Sequence, residues 1–140
     1  NCPMNKIKFI AAAFFISSLL FLSCSKDNLS NVASYVTKGT WRVTLYQENG
    51  VSKLYYFSNY DFTFSNSTVS ATRNATTVTG TFSTKYDDSK NKLVLNFGNT
   101  SPFNELNDDW EILEESATKI RMQDVSGGSG GTDLLTFEKN

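Results

Sequence analysis

The sequence predicts an all-β protein: an antiparallel up-and-down meander of eight or nine strands, closed into a small barrel and preceded by a short helix. From Gly39 onward, apolar and polar residues alternate in short runs, as in strands that are buried on one face. Turn signals separate these runs by hairpin-length connections. Closure removes the unpaired edges of such a meander, and an open sandwich is the alternative.

The first elements are a helix and a strand. Within residues 29–37, the helical spacing places Leu29, Val32, Ala33 and Val36 on one face. In the strand that follows, the side chains predicted to point inward are Trp41, Val43 and Leu45, and those predicted to point outward are Arg42, Thr44 and Tyr46. Asn49-Gly50 then predicts a tight hairpin turn.

The same alternation predicts the later strands. They cover residues 53–58, 60–65, a Thr- and Val-rich stretch (68–86) that breaks near Asn74, 92–98, a hairpin (108–124) turning at about Ser116–Ala117, and 133–139. Loops are predicted at Asn99–Asn107 and at the Gly/Ser-rich residues 126–131. The side chains predicted to face the interior are Trp41, Phe62, Phe64, Phe82, Leu93, Leu95, Phe97, Trp110 and Phe137.

The N-terminal residues have the order of a secretory signal. Lys6 and Lys8 precede an apolar run at residues 9–22 that is too short to span a membrane. The division predicted is a signal peptide that is removed (1–23), a lipidated Cys with a tether and short helix (24–37), and the barrel domain (38–140).

The stretch "FLSC" resembles the bacterial lipobox, which implies that Cys24 is lipidated and becomes the first residue of the mature chain. Acyl chains would then anchor the protein to a membrane. "CSKDN" is similar to the surface-export signal of Bacteroidetes lipoproteins, which implies an outer-membrane location with display at the cell surface. The alternatives are a signal without lipid, a short anchor helix, and a plain solvated tether.

The segment Gly39-Thr40-Trp41 resembles the first signature of lipocalins, and the ordered series of strands is similar to the small lipocalin-like lipoproteins of Bacteroidetes. The similarity covers roughly Lys38 to Lys139. In lipocalins the Trp plugs one end of the barrel, often beneath a basic side chain from a late strand, and Arg121 is the expected partner here. The resemblance implies a barrel able to hold one small apolar ligand.

Composition argues against several function classes. Of the 13 Lys and Arg residues, Lys6 and Lys8 precede Cys24, which leaves eleven basic residues against 14 acidic ones from Cys24 onward. No basic surface for nucleic acid is therefore expected. The sequence has no His, no activated thiol once Cys24 is lipidated, and no nucleophile or phosphate-binding motif. We therefore expect no enzymatic activity, no catalytic residue and no cofactor.

An acidic segment at residues 107–115 raises the question of Ca²⁺ binding. Asp109 and Glu111 alternate with Trp110 and Ile112, which favours a solvated strand face, and the expectation is no metal site.

Two functions remain open. The first is binding of a small apolar or amphipathic ligand inside the barrel mouth, which requires a cavity of roughly 300 Å³ or more. The second is a cell-surface interaction module with a filled barrel and a protein or glycan partner, of which the protein partner is unknown. The candidate contact residues are Tyr46, Tyr55, Tyr56 and Tyr60, since Tyr suits such surfaces but also suits a core or the outer face of a sheet.

Overall fold

The computed structural model describes residues 30–126 and 130–140. Cys24 and the predicted signal peptide lie outside these residues. The elements are α1 (Val32–Val36), β1 (Trp41–Glu48), β2 (Val51–Ser52), a 3₁₀ helix (Leu54–Tyr56), β3 (Asp61–Ser65), β4 (Thr68–Arg73), β5 (Thr76–Asp87), β6 (Lys90–Asn96), a second 3₁₀ helix (Phe103–Leu106), β7 (Asp108–Glu115), β8 (Lys119–Val125) and β9 (Thr132–Lys139).

The strands form one antiparallel sheet in the order β2-β1-β3-β4-β5-β6-β7-β8-β9, which closes because β1 also pairs with β9. Eight strands make the barrel, and the short β2 is added at one end of β1. The predicted all-β closed meander is therefore confirmed. The shortest strand pairing in the barrel is between β1 and β3, which share the single register pair Trp41↔Phe62.

Tight turns set the hairpins. Asn49-Gly50, Asn66-Ser67 and Asp88-Ser89 each have positive φ at both residues, which is the requirement of a type I′ turn. The predicted Asn-Gly hairpin is confirmed, since Glu48 pairs with Val51 across it.

Three local predictions were wrong. Residues 53–58 form a 3₁₀ turn rather than a strand. Leu45, which was predicted to point inward, is only half-buried. Tyr46 points inward instead of outward, because Val43 pairs with Phe137 and Leu45 with the adjacent Thr136. The extra residue, Thr44, is a β-bulge that reverses the alternation of side chains after it.

The interior matches the predicted set. Apart from Leu45, the strand side chains that were predicted to face inward, Val43 among them, are at most 8% exposed. Helix α1 contributes Val32 and Val36, which are fully buried, to the same core. The helix covers one end of the barrel, which we call the helix end.

Candidate functional site

The helix end is closed by a hydrogen bond from a core tryptophan. The indole N–H of Trp41 donates to the carbonyl of Val36, the last residue of α1, at 3.0 Å. Both side chains are fully buried. Trp41 therefore lies buried at the helix end, with α1 held against it by this bond.

Lys139, not Arg121, supplies the basic side chain over the tryptophan. The Lys139 ammonium lies 5.1 Å from the centre of the Trp41 ring, within cation–π range, and Gly39 packs against its methylene groups. Arg121 is exposed and pairs with Glu114 at 3.1 Å. It points outward because Ile120 and Met122, its neighbours in β8, fill the core.

The N-terminal part of the described chain is fixed at this same end. Glu115 accepts hydrogen bonds from the Ser30 hydroxyl and from the backbone N–H of Asn31, at 2.9 Å for the latter. The Ser30 N–H donates to the Asn91 side chain at 3.3 Å. Any tether that precedes Ser30 therefore joins the barrel at the helix end.

The opposite end is closed by the second 3₁₀ helix, which we call the plug helix (Phe103–Leu106). The Phe103 ring is 1% exposed. It lies 5.0 Å from the ring centre of Tyr60, 5.3 Å from that of Phe97 and 5.6 Å from that of Phe57. These contacts define the plug end of the barrel, where the sequence had suggested a loop.

A second indole anchors the plug helix. Trp110 Nε1 donates to the carbonyl of Leu106 at 2.9 Å. The Asn107 side chain adds two bonds, accepting from the Phe97 N–H at 2.5 Å and donating to the Gly98 carbonyl at 2.7 Å. The plug helix is thus tied to the strands on both of its sides.

Aromatic rings fill the space between the two ends. Phe62 contacts Phe137 at 5.1 Å and Phe97 at 6.5 Å between ring centres. Phe64 in turn contacts Phe82 at 5.2 Å and Phe137 at 5.7 Å. All four of these pairs are edge-to-face, which is a favoured packing of rings.

The four candidate tyrosines separate into two classes. Tyr46 is 1% exposed and Tyr60 is 8% exposed beneath the Arg73 guanidinium, which lies 4.4 Å from its ring centre. Tyr55 is 67% exposed, and its ring lies 4.6 Å from that of the half-buried Tyr56. Only Tyr55 and Tyr56 therefore offer ring surface to a partner, together with the exposed Val51 nearby in sequence.

Tyr46 and Glu48 form a polar contact at the plug end. The Tyr46 hydroxyl lies 2.8 Å from Glu48 Oε1 and 3.1 Å from the Glu105 carbonyl oxygen. Burial and the Glu48 carboxylate raise the pKa of Tyr46 well above its usual range. Partial burial raises the pKa of Glu48, but hydrogen bonds from Lys53 and Tyr46 outweigh it, so that pKa is below its ordinary value. Tyr46 is thus a neutral hydrogen-bond donor that holds Glu48.

Three aspartates come together on β7 and β8. A carboxylate oxygen of each of Asp108, Asp109 and Asp124 lies within 4.8 Å of the others. Asp109 is paired with Lys85 at 2.6 Å and Lys92 at 3.1 Å, and these bonds lower its pKa to about 2. Among the described residues, the lysine pairs within 4.0 Å involve only Asp109 of the three, so Asp109 belongs to a surface ion-pair network.

An open surface pocket of about 390 Å³ lies beside the ends of β1 and β9. Its lining residues are Gln47, Asn49, Gly50, Gly131, Thr132 and Leu134. Gln47 and Leu134 pair in register and alternate with the inward-facing Tyr46 and Leu135. The pocket is therefore on the outside of the barrel wall and is not the interior cavity that the ligand hypothesis expected.

The fold and its two plugs define a closed eight-stranded β-barrel. No protein-family model and no curated protein matches the chain. Among solved structures it is similar to a DUF4847 family protein from Bacteroides vulgatus ATCC 8482, with 17% sequence identity and a TM-score of 0.51 over 78% of this chain and 97% of that one. At this identity the likeness concerns the fold alone. Within the described residues, no helix has the length and apolarity needed to cross a membrane.

Proposed function

We propose that the protein is a non-enzymatic lipoprotein, anchored in the outer membrane through Cys24, whose filled barrel serves as an interaction module at the cell surface. The observation that carries this proposal is the closed, aromatic interior. Trp41 and Phe103 plug the two ends, and rings in mutual contact occupy the space between them. Binding would therefore occur on the outer surface.

The direction of the chain supports the anchor. From Cys24 to Ser30 the backbone reaches at most roughly 20 Å, so acyl chains on Cys24 would hold the helix end close to the lipid surface. Strand β1 runs from Trp41 at the helix end to Glu48 at the plug end, a distance of roughly 20 Å. Tyr55 and Val51 would then be displayed away from the membrane.

The chemistry of the surface supports a non-enzymatic role. The sequence has no His to act as a general base. On the face formed by β5 to β8, hydrogen bonds from Lys85 and Lys92 lower the pKa of Asp109. Hydrogen bonds from Gln123 and Lys90 lower the pKa of Glu111 in the same way. Such pairs are the ordinary means of stabilising a sheet surface.

The second candidate function is binding of a small apolar or amphipathic ligand. It is favoured by the pocket beside β1 and β9, whose volume is in the range of small-molecule sites. The two candidates differ in whether an apolar molecule binds the intact protein.

A fluorescent apolar probe separates them. We expect 1-anilinonaphthalene-8-sulfonate to show no saturable binding to the wild-type protein. Phe103→Ala, which empties the place of one buried ring, should bind it and serves as the positive control. Stoichiometric binding to the wild type would favour the ligand carrier over the interaction module.

Site-specific photo-crosslinking on intact cells tests the interaction module directly. A photoreactive phenylalanine at position 55 should form discrete adducts with a partner. The matched control is position 86, since Tyr86 is also exposed (58%) but lies near the β5–β6 turn. Equal labelling at both positions, or none at position 55, would exclude the plug end as the contact surface.

A further inference from the structure

The plug end carries a strong excess of negative charge. Five carboxylates lie at its strand ends and connections, and we call them the acidic rim: Glu48, Glu105, Asp108, Asp124 and Asp133. In the part of the chain that the structure describes, the cations at this end are Lys53 and Arg73, so the five rim carboxylates outnumber them. Lys53 is bound to Glu48, and Arg73 covers the Tyr60 ring.

Four of the rim carboxylates are hydrogen-bonded to uncharged groups and not to Lys or Arg. Among the described residues, no Lys or Arg nitrogen lies within 4.0 Å of Glu105, Asp108, Asp124 or Asp133. Asp133 accepts from the Asn49 N–H at 2.9 Å, and Asp124 lies 3.2 Å from the Ser126 hydroxyl. This differs from the face of β5 to β8, where Lys85, Lys90 and Lys92 balance the acidic residues.

Two of the rim carboxylates face each other directly. Asp124 pairs with Asp133 in the β8–β9 register, and like charges at directly opposite positions destabilise a sheet. Burial and the nearby Asp124 charge also raise the pKa of Asp108. A cation placed against this rim would relieve the repulsion.

The exposed rings adjoin the rim. The Lys53 ammonium binds Glu48 and lies 5.9 Å from the centre of the Tyr56 ring, which is in tilted contact with the Tyr55 ring. Glu48 is joined to Glu105 through the Tyr46 hydroxyl. The face of a Tyr ring attracts ammonium and guanidinium groups, and carboxylates bind the same groups.

We infer that the plug end binds a protein segment rich in Lys and Arg, with Tyr55 and Tyr56 contacting its side chains and the acidic rim neutralising their charge. The inference rests on the proposed function and specifies the partner. The rim favours a basic segment over a metal ion, because Asp109, the third member of the group that Asp108 and Asp124 form, is already paired with Lys85 and Lys92. The other rim carboxylates, Glu48, Glu105 and Asp133, do not belong to that group. It favours a basic segment over a neutral glycan, which would not compensate the charge.

The test uses the mature chain and a fluorescein-labelled peptide of alternating Arg and Gly residues, with binding followed by fluorescence anisotropy. We expect saturable binding that weakens about tenfold or more when NaCl is raised from roughly 0.05 to 0.3 M, since exposed charges are screened. Tyr55→Ala and Asp124→Asn should each weaken it at least about fivefold. Asp133→Asn should do the same.

Matched controls lie outside the plug end. Tyr86→Ala removes an equally exposed ring, and Glu138→Gln removes a carboxylate at the helix end; both should change the affinity less than about twofold. Absence of saturable binding, or equal effects of the control and rim variants, would overturn the inference. Stoichiometric Ca²⁺ binding that displaces the peptide and is lost in Asp124→Asn would also overturn it, in favour of a metal site.

The outcome is separable from that of the proposed function. Adducts at position 55 without peptide binding would support the interaction module but overturn the inference that its partner is rich in Lys and Arg. Peptide binding abolished by Tyr55→Ala would support both. Peptide binding that Tyr55→Ala leaves unchanged would place the contact elsewhere and overturn the inference.

Discussion

Trp41 and Trp110 hold the two ends of the barrel in the same way: each buried indole N–H donates to the backbone carbonyl of a short helix that covers its end. The acceptors are Val36 in α1, at 3.0 Å, and Leu106 in the plug helix, at 2.9 Å. A helix this short has few internal hydrogen bonds of its own. The tertiary bond and the buried apolar side chains therefore determine whether each plug stays in place.

Trp110→Phe should destabilise the protein by about 2–4 kcal/mol, because it leaves the Leu106 carbonyl without its donor and removes part of a buried ring system. Trp41→Phe should cost a similar amount, since its indole is equally buried. Urea unfolding followed by circular dichroism measures both. Tyr86→Phe, at an exposed position, is the control and should change the free energy of unfolding by less than about 0.5 kcal/mol. Equal values for all three variants would mean that the indole bonds do not hold the plugs.

Lys139→Met should destabilise the protein by about 0.5–1 kcal/mol through loss of the contact with the Trp41 ring. Arg121→Met, at the position that the family resemblance favoured, should change stability by less than about 0.5 kcal/mol because its pair with Glu114 is exposed. Intrinsic tryptophan fluorescence gives an independent readout, since only the Lys139 variant changes the surroundings of an indole. A larger effect of the Arg121 variant would reverse the assignment.

Acid should lower the free energy of unfolding through protonation of Asp109. Bonds from Lys85 and Lys92 lower its pKa in the folded protein from 3.8 to about 2. A lowered pKa means that the unfolded chain takes up the proton first, so this contribution is complete above about pH 5 and is lost as the pH falls towards 2. The urea midpoint of the wild type should decrease over that range, and Asp109→Asn should decrease less steeply. An unchanged slope in the variant would show that other carboxylates govern the acid response.

The strands and core were predictable because alternation is a local property of the sequence. Leu93, Leu95 and Phe97 show it within one short run, and all three are buried as expected. The Thr44 bulge was not predictable, because it arises from the register of β1 against β9, which are distant in sequence. It is this bulge that moved Tyr46 from the predicted surface into the core.

The candidate site was harder to predict than the fold. Phe103 lies in a segment without periodicity, so its role as a plug depends on rings from several other elements. The acidic rim likewise collects carboxylates from separate strand ends. One signal was available: in "KIRMQ", Arg121 lies between the apolar Ile120 and Met122, which already places it outside the barrel.

The lipid anchor is tested by the intact mass of the protein purified from its native host, with Cys24→Ala as the matched variant. We expect a chain that begins at Cys24 and carries two or three acyl groups, and we expect it to partition with membranes, because each buried CH₂ adds about 0.8 kcal/mol of membrane affinity. The variant should lack the acyl mass and should be released from membranes while keeping the same circular dichroism spectrum and urea midpoint, since the core residues that the structure describes all follow Ser30. An unmodified wild-type chain would remove the anchor and with it the orientation that displays Tyr55 away from the membrane. The closed barrel and its plug end would remain, and the crosslinking at position 55 would then be carried out on the secreted protein.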